Sequence, residues 1–179
     1  DKITLFEESG TKVIDTHSPP FTPKNGISVE RVDVAVGDVP ENWKSSLAPS
    51  GSTPGRLNSV TDTGITPPPT EKPDTDSKVE PPPIIRILIN EIMHSPDTTA
   101  GQTEWIELFN NGSDTVNLVN FNISGNSASI NFTINSIDIS AGGFVVLVRN
   151  ETLFNQTYSP TGITLVEYGG AVPSLMLNN

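Results

Sequence analysis

Cysteine is absent from the 179 residues, which excludes disulfides, thiolate metal sites and cysteine nucleophiles. Positive charge is scarce. Ten Lys and Arg stand against 21 Asp and Glu, giving a net charge of −11 and a pI near 4.4. A phosphate-tracking nucleic-acid binder needs a basic stripe, and an anionic membrane surface wants the same. Neither partner is expected. No apolar run approaches 18 residues, so no membrane insertion is expected, and no basic-then-apolar signal peptide opens the chain. Aromatics make up only 6%, and no segment carries a long 3.6-residue period. What is plentiful is Gly (14) and Pro (16), the residues of turns and extended chain. A soluble, acidic, largely β chain of one domain, or one domain plus a tail, follows.

Residues 60–83 divide the chain. Seven of the 16 prolines fall within 61–83, TDTGITPPPTEKPDTDSKVEPPP, with no aromatic and only Ile65 and Val79 as aliphatics. Such a stretch cannot bury enough surface to fold, and its prolines favour polyproline II, which reaches about 70 Å over this length. It reads as a Pro/Thr-rich linker. Before it, residues 1–59 open with a hairpin signature: Ile3, Leu5 and Val13 alternate with polar neighbours around Glu8-Ser9-Gly10. Ile27, Val29 and Arg31-Val32 suggest another short strand, followed by Trp43 and the turn-rich APSGSTPGRLNS. With so few large apolar side chains, 1–59 would make a marginal core alone.

After the linker, residues 84–179 begin with IIRILINEIM, a β-branched run suited to a buried strand. Trp105, Glu107 and Phe109 then alternate with Ile106 and Leu108, one aromatic and one aliphatic face. Further strands are expected at 115–123, 128–134, 143–149 and 163–168, and no α-helix. Strands at this spacing predict an all-β sandwich or barrel.

These residues carry a resemblance. ILINEIMHSPDTTAGQTEWIELFNNGSDTVNLVNFNIS resembles the start of a lamin-tail domain: an apolar strand ending Asn-Glu-Ile, a variable loop, Glu-Trp-Ile-Glu-Leu and an Asn-rich turn. GGFVVLVRN resembles that family's next core strand. The N-terminal segment resembles the family's other end. DKITLFEESGTKVIDT is similar to its late hairpin, and GISVERVDVAVGDVPENWKSSLAPSGSTPGRLNS to its closing segment, with Ser-x-Glu-Arg, Asn-Trp and Gly-x-Thr-Pro-Gly. The resemblance thus implies an immunoglobulin-like β-sandwich assembled from two segments in permuted order, 1–59 as the second part and 84–179 as the first. Joining the ends, SLMLNN to DKITLF, runs close to the family's middle.

Three arrangements satisfy this order: a circular permutant closed on itself, segments exchanged between neighbouring chains, or one period of a tandem array. Separated, each segment would expose core strands and unpaired edges, so each needs its complement. Exchange that does not close into a ring propagates as a fibre. A linker of about 70 Å serves any of the three.

Among motifs that carry chemistry, five N-glycosylation sequons stand at Asn111, Asn122, Asn131, Asn150 and Asn155. Thirteen asparagines in 84–179 also serve as turn formers, so the sequons are candidate attachment sites for N-linked glycans. Glu91, Glu104 and Glu107 lie in the family-like strands. They read as a cation site or acid/base pair, or as structural carboxylates pairing with Arg31, Arg86 or Arg149 or holding a turn's backbone N–H groups. The structural reading is favoured; no EF-hand loop indicates calcium, and no cofactor is expected. His17 and His94 are expected in loops beside the prolines that follow them, with no GxSxG elbow to make a catalytic serine. Trp43 and Trp105 are expected to fill the core or its edge. Gly142-Gly143 and Gly169-Gly170 are turn glycines, since no phosphate-binding loop occurs.

The functional expectation is an extracellular or cell-surface structural protein, not an enzyme, whose partner is itself: a subunit or repeat of a filament built by head-to-tail strand complementation. The core strand residues carrying it are Ile3, Leu5, Val13, Ile87, Ile89, Ile106, Leu108, Val145 and Leu147. The alternative is a non-catalytic binding or targeting module of a secreted multidomain protein, folded as a circularly permuted monomer. A nuclear-scaffold role, as in lamins, is opposed by the net charge and the missing coiled-coil heptad.

Overall fold

The computed structural model describes residues 2–8, 10–18, 20–61, 87–125, 131–159 and 161–169. Twelve strands run in chain order. They are β1 (Ile3–Phe6), β2 (Val13–His17), β3 (Val29–Arg31), β4 (Trp43–Ser45), β5 (Ile87–Met93), β6 (Trp105–Asn110), β7 (Val116–Asn117), β8 (Asn122–Ser124), β9 (Asn131–Thr133), β10 (Asp138–Ile139), β11 (Phe144–Val148) and β12 (Thr164–Glu167). One helix, α1 (Glu151–Tyr158), precedes β12.

Two sheets face each other. A six-stranded sheet has the order β12-β11-β6-β5-β3-β4, and a four-stranded sheet the order β2-β1-β8-β9; β7 and β10 form a small third pair. Side chains alternate along each strand, so Ile3 and Leu5 from one sheet meet Val29, Ile87, Ile89, Ile106, Leu108, Val145 and Leu147 from the other in a single core. The fold is an all-β sandwich. The predicted hairpin forms, β1 pairing antiparallel with β2 around a turn where Gly10 has φ +67°.

Both chain segments enter both sheets. β1 of the N-terminal segment pairs with β8 (Leu5 opposite Ile123), and β3 pairs with β5 (Val29 opposite Ile92). The packed chain continues through Val60, which is buried and donates its amide to Glu30 Oε2 at 3.1 Å, so the linker expected from residue 60 begins later. Positions 62–83 of that linker, and Arg86, lie outside the described residues.

Four expectations need correction. Val13 is half exposed (51%), because it starts edge strand β2 where the turn has just ended. The stretch 115–123 is two strands, not one. The chain turns at Asn120 (φ +62°), whose amide donates to Ile134 O. Residues 151–158 are helical: Asn150 Oδ1 accepts the Leu153 amide at 2.9 Å, and Phe154 and Tyr158, four apart, lay their rings on Trp105. Finally, His17 is not in a loop but ends β2, fully buried.

Candidate functional site

The six-stranded sheet turns its second face toward α1 and the turn-rich chain 46–61. On that face one row of directly opposed residues crosses the sheet: Lys44, Glu30, Glu91, Glu107, Val146 and Leu165. Its three central members are glutamates, and all three are fully buried. Like charges placed directly opposite destabilise a sheet, and an unpaired buried charge costs more still. The row therefore demands compensation.

Compensation comes mostly from residues 28–60. Ser28 Oγ lies 2.6 Å from Glu91 Oε1, which also accepts the Thr53 amide at 2.8 Å. Thr53 Oγ1 lies 2.9 Å from Glu30 Oε1 and 3.1 Å from Glu91 Oε2. Ser59 Oγ and the Val60 amide donate to Glu30 Oε2, and the Gly55 amide to Glu107 Oε2. Asn90 completes the set. It is the extra residue of a β-bulge between Ile89 and Glu91, which frees its side chain to bond both Glu107 Oε1 (2.8 Å) and Asn58 Oδ1 (2.9 Å). Asn58 in turn donates to Arg31 O and Asn90 O.

Burial pushes the Glu91 carboxyl up to about 7 despite the Ser28 and Thr53 bonds, and the Glu30 charge adds to the rise. Burial and the Glu91 charge raise Glu107 well above the usual carboxylate range. Among the described residues the ion pairs are Lys12–Glu7, His17–Asp38, Arg31–Asp15 and Arg149–Glu104, and none involves the row. Nor are three His, Asp or Glu side chains placed to hold a metal ion among the described residues. A row sealed from solvent offers no path for substrate to an acid/base pair. What it does is bind backbone: each glutamate holds an amide of the 53–60 chain against the sheet.

The loop's shape is equally constrained. Gly51 has φ +82°, and a Cβ there would lie 2.4 Å from Gly26 O. We expect Gly51→Ala to cost about 1–3 kcal/mol from backbone strain alone, read as a lower urea midpoint; an unchanged midpoint would show that the loop adjusts freely.

A second buried cluster closes the other end of β3. Arg31 Nε donates to Ile89 O (2.9 Å), Nη1 to Val36 O (3.1 Å) and Nη2 to Asp15 Oδ2 (2.5 Å), with the guanidinium 4.7 Å from the Trp43 ring. His17 packs its ring 3.9 Å from Trp43 and sets Nδ1 3.3 Å from Asp38 Oδ1. A separate groove of about 280 Å3 runs between Leu57, Asn58, Phe109, Asn110 and Phe144. Among the described residues Arg31 is the one charged side chain lining it, and its guanidinium is already engaged by Asp15.

The structure separates the three glutamates read from sequence. Glu91 and Glu107 sit in the row and hold turn amides. Glu104 instead pairs with Arg149 at 3.1 Å. Arg31 takes none of them. Glu30, Thr53, Gly55 and Asn90 lie inside the Ser-x-Glu-Arg, Gly-x-Thr-Pro-Gly and Asn-Glu-Ile patterns without standing out as site residues, and Asn58 follows three residues after the second of these patterns. Trp43 and Trp105 are both buried, Trp105 on the α1 side of the sheet. Of the sequon asparagines, Asn150 and Asn155 are exposed on α1 or its cap, and Asn111 is half-buried. The Asn122 side chain accepts from Thr133 Oγ1, and Asn131 lies on β9.

Fold and site together define an immunoglobulin-like sandwich whose motif residues lock strands to one another rather than gather around a ligand. A family model for the Lamin Tail Domain matches residues 80–172, just over half of the chain. The chain belongs to the lamin tail domain family. No curated protein and no solved structure matches it.

Proposed function

We propose that this protein is a non-catalytic structural module that acts by complementation. Residues 1–60 supply the second part of a lamin-tail sandwich, 84–179 the first part, and 61–83 the tether. Made between neighbouring chains, the joint described above produces a head-to-tail array at the cell surface, with glycans on the Asn-rich segment shielding its edges. The observation that carries the reading is the interleaving of the two segments in both sheets, through β1–β8 and β3–β5. A joint that divides both sheets is the kind that exchanges between chains without new contacts, as in donor-strand addition.

Closure of the sandwich within one chain favours a second reading: a self-contained permuted module carried by a larger secreted protein. Light scattering with negative-stain microscopy on native material decides. Regular fibres that dissociate on mild denaturation into chains of this length support exchange. Covalently continuous fibres mean a tandem array, and a compact 19 kDa monomer removes the filament and leaves the module. Endoglycosidase treatment of the same material should lower the mass of peptides containing Asn150 and Asn155; no shift at any of the five sequons would sink the glycosylated, extracellular part.

A further inference from the structure

The glutamate row poses a counting problem. Thr53 Oγ1 contacts Glu30 Oε1 and Glu91 Oε2, yet a hydroxyl has one proton to give. A full hydrogen bond on each side needs a second proton, and the carboxyls of Glu30 and Glu91 are its available sources. Ser28 repeats the problem: its hydroxyl lies 3.2 Å from Gly51 O, which can only accept, and 2.6 Å from Glu91 Oε1. A proton on Glu91 relieves one of these shortages, that at Thr53 from Oε2 or that at Ser28 from Oε1, and removes one of three like charges from adjacent strands. The groups around the row offer no other neutralisation. From β4 it faces Lys44, whose side chain is exposed, and the loop's Arg56 is exposed too. From α1 comes the Tyr158 phenol, itself held protonated by burial, and β11 contributes Val146.

We propose that the joint between the two segments is proton-locked: the Glu30–Glu91–Glu107 row holds at least one proton, and its loss releases the 53–60 chain from the sheet. This goes beyond the assembly reading, because the same lock acts whether the joint closes within one chain or between two. Where two chains share the joint, acid favours assembly and mild alkali favours release.

The sign follows from linkage. The row binds more protons folded than unfolded, so its contribution is greatest at acid pH and is lost as pH rises. One carboxyl raised from 4.5 to about 7 lowers the closing equilibrium by roughly two orders of magnitude across that window.

The test uses the full chain. Amide hydrogen exchange, corrected for intrinsic rates, is followed from pH 5.5 to 8.5 at Thr53, Gly55 and Val60, whose N–H groups the row holds. Their protection should fall at least tenfold more than that of Leu108 and Leu147 in the core. In Glu91→Gln, which keeps the shape and cannot ionise, this difference should vanish. Should that variant fail to fold, the wild-type Glu carboxyl carbon signals serve: one should keep the shift of a neutral acid at pH 6.5. Protection independent of pH in the wild type, or every glutamate titrating near 4.5, overturns the proposal. Light scattering at each pH reads the assembly reading separately, since a constant 19 kDa mass throughout would count against exchange while leaving the lock intact.

Discussion

Arg31→Met should be among the most destabilising single substitutions in this protein, costing about 3–5 kcal/mol. The guanidinium is 1% exposed, bridges β3 to β5 through Ile89 O, and meets Asp15 from β2. Methionine can refill most of the volume and keep contact with Trp43. It cannot answer Asp15, whose carboxylate would remain largely buried with the backbone amides of Ile89 (2.8 Å) and Thr16 as donors but no countercharge beside it. Burial already pushes Asp15 upward against the lowering pull of Arg31, so without Arg31 the carboxyl takes up a proton at higher pH. Two consequences follow. The loss should shrink at acid pH, where Asp15 is neutral, and the double variant Arg31→Met/Asp15→Asn should recover more than half of it. Urea titrations of the four proteins of this cycle at pH 5 and pH 8 measure both. A double variant no more stable than Arg31→Met would show that the lost bonds to Ile89 and Val36, rather than the stranded charge, set the cost.

The same cluster shows where sequence reading reaches and where it stops. The β-branched run IIRILINEIM placed β5, and alternation in EWIELF placed β6 and its two faces, because a strand's period is local and each residue's neighbours two positions away report its side. The bulge at Asn90 was not legible. It follows from pairing β5 with β6, and it is why Ile89 and Ile92 both reach the core while Glu91 joins the row. For Glu91 and Glu107 the sequence leaves two structural roles open, pairing with an arginine or holding a turn's backbone N–H groups, and the second is the one that forms. Their actual partners are hydroxyls and backbone amides in 28–60, and nothing about Thr53 or Gly55 announces which strand they will cover. The helix was missed for a local reason: eight residues give barely two turns, and only Phe154 is fully buried, too few apolar points for a period to emerge. Asn150 was noticed as a sequon, and its use as an N-cap followed from the same side chain. The Asn-Glu-Ile, Glu-Trp-Ile-Glu-Leu and Gly-x-Thr-Pro-Gly patterns now have a common physical meaning. They supply the bulge, the row, and the chain that satisfies it.

His17 should set the acid limit of stability. Its neighbours along the chain suggested a loop, since Ser18 and Pro19 follow, whereas its environment is made by Asp38 and Trp43, which are 21 and 26 positions away. The imidazole is pushed down to about 3, first by burial and then by the Arg31 charge. An unfolded histidine takes up its proton near 6.5, so below that pH the unfolded chain binds a proton that the folded chain refuses. Stability is thus withdrawn as pH falls, at up to about 1.4 kcal/mol per unit, reaching about 4–5 kcal/mol near pH 3. Between pH 6.5 and 4.5 the raised carboxyls of Glu91 and Glu107 hold protons that the unfolded chain lacks, which at least offsets the His17 loss. Below about 4.5 the unfolded glutamates take up protons as well, so the advantage from Glu91 and Glu107 stops growing and the His17 limb takes over. Asp38 gives no relief there, because burial raises its own carboxyl and makes it neutral early. The expected profile shows no loss of stability in mild acid and a steep fall beneath it. In His17→Phe, which can still pack on Trp43, the fall below pH 4.5 should be shallower by about one proton's slope. The direct check is the imidazole nitrogen signal of the wild type, which should remain that of a neutral ring at pH 5 with the proton on Nδ1 toward Asp38. A ring that titrates near 6.5 in the folded protein would remove His17 from the acid limb altogether.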